Sequence, residues 1–206
     1  MSKIEVEHRG LITKEEFNRF KHFFRKNGKY LGEKKRFSLI HNTSEKSVRE
    51  IKDNPVDIKL RLTNKKPELA VKYGKWSGKD ARREFNFSLE PNMFDDMLEL
   101  LKILGYHKFV LMANTKYDYF YHGIEFSLVK VPDWGFYFEA EILTKESFKE
   151  QADRKLDHEI VELGLKVLDE DEFYDLLDEL NNRRGFRIDL YKVSLKEIKK
   201  RFSDYF

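Results

Sequence analysis

Apolar and polar residues alternate in short runs from the start of the chain to about residue 143, which is the pattern of half-buried β-strands. Turn-forming pairs separate several of these runs, among them Asn54-Pro55, Ser77-Gly78 and Pro132-Asp133. Successive strands with short connections predict an antiparallel meander. The predicted strands lie at about 3–10, 35–41, 57–63, 68–74, 82–89, 107–116, 118–130 and 135–143.

Helical spacing appears in two places among these strands and dominates after them. Thr13 and Glu16 form a capping-box pattern that predicts the start of a helix ending near Asn27-Gly28. Pro91 opens a second helix that closes near Gly105. Further helices are predicted from Thr144 to about Leu163-Gly164, after Asp169, where Glu172 completes a second capping-box pattern, and from Ser194.

The alternation assigns one apolar and one charged face to the whole sheet. In the run 57–63, for example, Leu60 and Leu62 oppose Lys59 and Arg61. Two architectures satisfy this pattern. An open sheet would pack its apolar face under the helices and leave the charged face in water. A closed barrel would enclose the charged face as a lumen and carry the helices outside.

Composition limits the class of protein. The chain has 206 residues, 40% of them hydrophobic and 15% aromatic, which is enough for one domain with a buried core. The 40 basic and 37 acidic residues nearly cancel, so we expect no general attraction to nucleic-acid polymers or membranes. The sequence contains no cysteine and no long apolar segment. We therefore expect a soluble cytoplasmic protein without disulfides or thiolate metal ligands.

Two pairs of glutamates are the main candidates for chemistry. Glu5 and Glu7 alternate with Val6 in the first strand, and Glu139 and Glu141 alternate with Ala140 in the last, so each pair points to one side. Magnesium and manganese prefer carboxylate oxygens of this kind. Because the same face also carries Lys and Arg, the pattern indicates a site for a metal and a polyanion. The alternative is a network of ion pairs with a purely structural role.

Several segments together resemble the CYTH, or triphosphate-tunnel, superfamily. Glu5-Val6-Glu7-His8-Arg9 resembles its opening E-x-E-x-K pattern, with Arg9 where lysine is usual. The segment from Trp134 to Glu141 resembles its closing G-x-F-x-E-x-E pattern. The resemblance runs from about residue 3 to about 180, and the intervening basic strands follow in the family's order as Lys59-Leu60-Arg61, Leu69-Ala70-Val71-Lys72 and Arg82-Arg83-Glu84.

The resemblance implies an α+β fold: a closed antiparallel barrel of about eight strands within residues 1–180, with helices packed outside and a polar tunnel inside. Residues 181–206 would form a C-terminal extension, strand and helix, without an assigned role. The implied ligand is a small molecule containing a triphosphate, held with Mg²⁺ or Mn²⁺. No catalytic residue is assigned, and a homodimer is compatible with the sequence.

The resemblance also implies roles for individual residues. Glu84 would be either a metal ligand or a residue that orients the basic side chains. The other candidate metal ligands are Glu5, Glu7, Glu139 and Glu141, and the candidate phosphate-binding residues are Arg9, Lys59, Arg61, Lys72, Arg82 and Lys116.

The chain departs from the family pattern on one side of the tunnel. Met112 and Asn114 stand where many members have the two cations of a K-x-R motif, and Lys116 lies on the same face as a partial replacement. Val129 replaces an aspartate, and Asn86 replaces a third acidic residue. These changes weaken an assignment as a class IV adenylyl cyclase. Our first hypothesis is a metal-dependent triphosphate hydrolase, and our second is a polyphosphate-binding or nucleotide-binding protein with reduced catalysis.

Overall fold

The computed structural model describes residues 3–41, 50, 56–74 and 79–206. The predicted turns at Asn54-Pro55 and Ser77-Gly78 lie outside the described residues.

Nine antiparallel strands form one sheet in the described part of the chain. Neighbouring strands pair in the order β2-β3-β4-β5-β1-β8-β7-β6, and β2 also pairs with β6, so the sheet closes on itself. The closed-barrel prediction is confirmed, and the alternative of an open sheet is wrong. The strands are β1 (Lys3–Ile12), β2 (Lys29–Ile40), β3 (Val56–Thr63), β4 (Lys66–Tyr73), β5 (Lys79–Ser88), β6 (Lys108–Tyr121), β7 (Ile124–Val131), β8 (Gly135–Lys145) and β9 (Arg187–Asp189).

Five α-helices in the described residues pack around this sheet. The capping boxes predicted at Thr13 and Asp169 are both present, and a third occurs at Ser194. Each satisfies backbone N–H groups that a helix start leaves without an intrahelical partner. The helices are α1 (Lys14–Asn27), α2 (Met93–Ile103), α3 (Lys149–Glu162), α4 (Glu170–Asn181) and α5 (Leu195–Arg201), and short 3-10 helices lie at Glu146–Phe148 and Ser203–Tyr205.

Three strand boundaries differ from the sequence-based prediction. β2 begins at Lys29, six residues before the predicted start, and β8 continues to Lys145 before the helical segment begins. The predicted break near residue 117 is wrong, because β6 runs unbroken to Tyr121. The chain reverses at His122 and Gly123, whose φ angles of 48° and 80° suit a two-residue hairpin turn.

Two large hydrophobic clusters and a smaller one at α4 lie between the barrel and its helices in the described residues. Under α1 and α3, the fully buried Phe24 stacks on Tyr119 and on Phe126, with ring centroids 5.6 and 4.8 Å apart. The second cluster joins α2 to the C-terminal segment, where Phe37 packs against Phe202. The predicted C-terminal extension therefore adds β9 beside β6 and contributes to this second cluster.

The apolar outer face of β5 is more exposed to solvent than the alternation of apolar and polar residues predicts. Phe85 and Phe87 point away from the lumen as expected, but they are 49% and 54% exposed. Among the described elements, α2 packs mainly on β3 and β4, which leaves the outer face of β5 less covered. None of the described helices is long and apolar enough to cross a membrane.

Candidate metal and phosphate site

Strand register brings the two glutamate pairs side by side inside the barrel. β1 and β8 are neighbours, with Glu7 opposite Glu141 and Arg9 opposite Glu139. One ligand oxygen from each of Glu5, Glu7 and Glu141 lies within 4.8 Å of the other two. We call these three residues the carboxylate cluster. Within the described residues, this is the group of acidic or histidine side chains whose geometry suits a bound metal ion.

Lys72 of β4 lies against the carboxylate cluster. Its Nζ contacts Glu5, and it lies 3.3 Å from Oε2 of Glu7 and 3.4 Å from Oε2 of Glu84. Glu84 also accepts a hydrogen bond of 3.2 Å from Nη2 of Arg61. Glu84 thus sits beside the cluster and orients two basic side chains.

Glu139 lies apart from the carboxylate cluster. Its Oε2 is 2.5 Å from Nζ of Lys116, and its Oε1 is 3.7 Å from Nε of Arg9. Arg9 in turn reaches Oε2 of Glu7 at 2.5 Å. Of the five predicted metal ligands, the structure brings three together and places Glu84 and Glu139 among the surrounding cations.

Burial and neighbouring charges divide the carboxylates into two groups. Burial raises the pKa of Glu5 to about 9, although Lys72 opposes the shift. Burial, together with the charge of Glu7, raises the pKa of Glu141 to about 7. Burial acts in the same direction on Glu7, but the charges of Arg9 and Lys72 outweigh it and hold the pKa of Glu7 well below its ordinary value. At neutral pH, Glu7 therefore stays ionised, Glu5 holds a proton and Glu141 is about half protonated.

The basic residues also differ in how well their charge is balanced. Burial disfavours the charge of Lys72, but Glu7 and Glu5 outweigh it and raise its pKa. For Lys59, burial dominates and lowers the pKa, even though Nζ lies 2.9 Å from Oδ2 of Asp57. Lys59 thus sits where an additional negative charge would stabilise it.

Arg36 is a lumen residue that the sequence analysis missed. It lies on β2 directly opposite Asn114 of β6. Its Nε donates a 3.1 Å hydrogen bond to Oγ1 of Thr63, and among the described residues its guanidinium forms no ion pair. Burial and the charge of Arg61 lower the pKa of Arg36. An arginine in this setting is suited to bind an anion, because phosphate can bind its planar fork with two parallel hydrogen bonds.

Three other charged lumen residues, Asp57, Asp118 and Lys34, were missed. Asp57 is fully buried and contacts Lys59. Asp118 is also fully buried; its Oδ2 lies 2.5 Å from Nζ of Lys34, and its Oδ1 accepts a 2.7 Å hydrogen bond from Ser127. Strand alternation could have identified Asp118, because it lies on the same face as Lys116, two residues earlier.

The lumen contains two adjoining cavities. One, of about 610 Å³, is lined by the carboxylate cluster, Lys72 and Glu84. The other, of about 150 Å³, reaches the apolar side of α4 and is lined by Met112 and Asn114. The second cavity is also lined by most of the predicted phosphate-binding residues, namely Arg9, Lys59, Arg61, Arg82 and Lys116.

The donor set of the carboxylate cluster fits a hard divalent cation. Three carboxylates converge without nitrogen or sulfur ligands, as Mg²⁺ and Mn²⁺ prefer. A cation would also relieve the repulsion that raises the pKa of Glu141. These residues are therefore suited to hold such an ion together with oxygen atoms from water or from a phosphate.

No protein-family model and no curated protein matches this chain. Solved structures do resemble it. The PH1819 protein from Pyrococcus horikoshii OT3 aligns with a TM-score of 0.69 and 22% identity, over 85% of this chain and 98% of that one. A candidate adenylate cyclase from Vibrio parahaemolyticus aligns with a TM-score of 0.59 and 14% identity, over 97% and 99%.

A third similar structure is a candidate adenylyl cyclase from Hippeastrum, described as having a dominant triphosphatase activity. It aligns with a TM-score of 0.54 and 16% identity, over 80% of this chain and 89% of that one. At these identities the likeness concerns the fold. The chain therefore shares its barrel fold with structures that include candidate adenylate cyclases and a protein with triphosphatase activity.

Proposed function

We propose that this protein hydrolyses the phosphoanhydride bond of a triphosphate compound with the help of a divalent cation. The observation that carries the proposal is the half-buried Arg36, a cation without an ion-pair partner among the described residues, in the same lumen as the carboxylate cluster. Arg36 is suited to bind an anion, and the carboxylate cluster is suited to bind a metal ion. A metal-bound polyphosphate supplies both.

The main competing explanation is a structural network of ion pairs. Several lumen contacts fit that description, including the pair formed by Lys116 and Glu139 at 2.5 Å. Buried ion pairs contribute little net stability, because desolvation offsets their attraction. A structural network would also give no reason to place the half-buried Arg36 near the like charge of Arg61 or to gather three glutamates at one point. Binding of a metal and a phosphate chain would explain both the position of Arg36 and the convergence of the three glutamates.

The residues divide into two roles under this proposal. Glu5, Glu7 and Glu141 would hold the cation, which when bound supplies charge neutralisation at phosphate oxygens and lowers the pKa of a coordinated water. The basic residues would bind and orient the phosphate chain, with Arg36 and Arg61 as bidentate partners and Lys72 as a point charge. In phosphoryl transfer, positioning and charge stabilisation provide most of the catalysis. The fold shared with the Hippeastrum protein and the CYTH-like motifs of β1 and β8 support the same reaction class.

A second candidate function is metal-assisted binding of a polyphosphate or nucleotide without efficient turnover. The observation that favours it is the pair Met112 and Asn114, which leaves that side of the lumen with fewer cations than the family pattern has. Arg36 compensates for one of these positions only. An adenylyl cyclase reaction is the less favoured enzymatic alternative for the same reason.

Phosphate release from tripolyphosphate, ATP and thiamine triphosphate tests the proposal, measured with Mg²⁺, Mn²⁺ or EDTA. We expect metal-dependent release by the natural protein and its loss in the double variant Glu5→Gln, Glu7→Gln. The variant Glu150→Gln is the matched control, because this glutamate lies on the surface with its side chain 91% exposed. Saturable metal-dependent binding without release would favour the binding protein. A double variant that changes only the melting temperature would favour the structural network.

A further inference from the structure

The end of the lumen next to α4 differs in chemistry from the rest. The smaller cavity, of about 150 Å³, has an apolar wall formed by Leu176, Leu177 and Leu180 of α4. Met112 of β6 and Ile40 of β2 extend this wall onto the barrel. We call this region the α4 chamber. The apolar wall cannot bind a phosphate chain, because it offers no hydrogen bond or positive charge. Only the basic residues on the opposite side of the chamber can do so.

Two carboxamide side chains line the α4 chamber, and each has one buried polar atom without a hydrogen-bond partner among the described residues. Asn114 is 7% exposed and Asn181 is 3% exposed. Within the described residues, Oδ1 of Asn114 and Nδ2 of Asn181 form no hydrogen bond. Buried polar groups are nearly always paired, and an unpaired one destabilises the fold unless something else satisfies it. Each amide thus offers a donor or acceptor to a bound molecule.

Aromatic and charged neighbours narrow the kind of molecule that fits. Tyr137 and Phe173 line the same chamber and offer flat apolar surfaces. Arg9 and Arg36 line its other side and would repel a cationic ring. The favoured group is therefore flat and uncharged, with hydrogen-bond donors and acceptors on its edge.

We infer that the α4 chamber binds the base of a nucleoside triphosphate, with Asn114 and Asn181 pairing with its edge. This inference rests on the proposed triphosphate function and specifies its substrate class. The phosphate chain would lie along the basic residues toward the carboxylate cluster. The chain would accordingly prefer nucleoside triphosphates to inorganic tripolyphosphate, which has no base, and to thiamine triphosphate, whose thiazolium is cationic.

The test compares ATP and GTP with tripolyphosphate and thiamine triphosphate, by kcat/KM with Mg²⁺ and by calorimetric Kd in EDTA. We expect ATP or GTP to exceed the other two by at least tenfold in one or both measurements. Asn181→Leu, which is close in size, should lower the ratio of ATP to tripolyphosphate about tenfold, the factor for one lost hydrogen bond of about 1.4 kcal/mol. The neighbouring Asn182 is exposed, so Asn182→Leu is the matched control and should leave the ratio unchanged.

Leu177→Trp provides a second variant if Asn181→Leu fails to fold, because the larger ring would fill the chamber and lower the same ratio. Tripolyphosphate hydrolysed or bound as well as ATP, with neither variant changing the ratio, would overturn the inference while leaving the proposed hydrolase intact. Absence of phosphate release from every compound would contradict the hydrolase instead. In that case the Kd values in EDTA still decide the inference: tighter binding of ATP that Asn181→Leu weakens supports it, and equal binding of ATP and tripolyphosphate overturns it.

Discussion

Arg36 on β2 lies directly opposite Asn114 on β6, so one strand supplies a cation where its neighbour lacks one. The family pattern places a basic residue of a K-x-R motif at Asn114. In this barrel the guanidinium enters the lumen from the adjacent strand instead. Relative to the CYTH pattern that the chain resembles, Arg36 thus supplies one of the two missing positive charges from the adjacent strand.

Arg36→Met should weaken the binding of tripolyphosphate by about 10- to 100-fold, the range for charged hydrogen bonds worth roughly 1.5–3 kcal/mol. Because this half-buried cation has no ion-pair partner among the described residues, the variant should keep or raise the melting temperature. Lys35→Met is the control, since Lys35 is exposed on the opposite face of the same strand. Calorimetric titration measures the affinity. Equal affinities of the two variants for tripolyphosphate would mean that Arg36 does not bind the phosphate chain.

Binding of Mn²⁺ should release protons from the carboxylate cluster. With pKa values of about 9 and about 7, Glu5 is protonated and Glu141 half protonated at pH 7, whereas a metal requires both ionised. We expect about 1.5 protons released per ion at pH 7, about one at pH 8, and an affinity that rises between pH 6 and 8. Calorimetry in buffers of different ionisation enthalpy measures the release. A binding enthalpy independent of the buffer would contradict the prediction.

The metal-free protein should lose stability through Glu5 as the pH rises. The pKa of Glu5 is about 9 in the folded state against an ordinary value of 4.5, so the folded state binds more protons between these values. The stabilisation is complete below pH 4.5 and is lost as the pH rises through 9. Glu5→Gln keeps the neutral form, and we expect it to be more stable than the natural protein by up to about 5 kcal/mol at pH 8.5, and by less at pH 5.

Thermal unfolding in EDTA at pH 5 and 8.5 measures this difference, with Glu150→Gln as the control. The control should follow the natural protein at both values. A Glu5→Gln variant that is less stable than the natural protein at pH 8.5 would mean that Glu5 is ionised in the fold.

Phe24 should be one of the largest contributors to stability, because its ring is fully buried between α1 and the barrel. Phe24→Ala should lower the free energy of unfolding by about 3–5 kcal/mol. Phe87→Ala removes the same atoms from a residue that is 54% exposed, and it should cost less than about 1 kcal/mol. Urea denaturation measures both. Similar losses would mean that the outer face of β5 is covered in solution.

Gly10 allows the segment before α4 to pass close to β1. A Cβ built at this glycine would lie 1.9 Å from the carbonyl oxygen of Lys166 and 2.4 Å from the ring of Phe138. Gly10→Ala should therefore displace this segment and destabilise the protein by about 1–3 kcal/mol. Gly135→Ala is the control, because its Cβ would enter open space. Equal melting temperatures for the two variants would contradict this packing.

The sequence was sufficient to predict the inward faces of the strands but not the partner of each side chain. Alternation places Glu139 and Glu141 equally well in the lumen. Only the register of β1 against β8 decides that Glu141 joins Glu7 whereas Glu139 meets Arg9. Register depends on pairing between distant segments, which local spacing does not contain.

The sequence pattern failed to place Lys34 and Arg36 of β2 in the lumen for a different reason. Three basic residues in succession, Lys34, Lys35 and Arg36, hide the alternation that identified the lumen elsewhere. The predicted strand also began too late to include Lys34. Its actual start at Lys29 is set by pairing with β6, where Lys29 lies opposite Phe120.

The pairing of Lys3 with Lys145 joins the two ends of the barrel-forming sequence. Contacts of such long sequence separation slow folding, because a large chain entropy is lost before they form. The carboxylate cluster spans this seam, so it is complete only when β1 and β8 have met. Metal binding during refolding would therefore report the moment at which the barrel closes, and a fragment lacking either end would have no cluster to bind the ion.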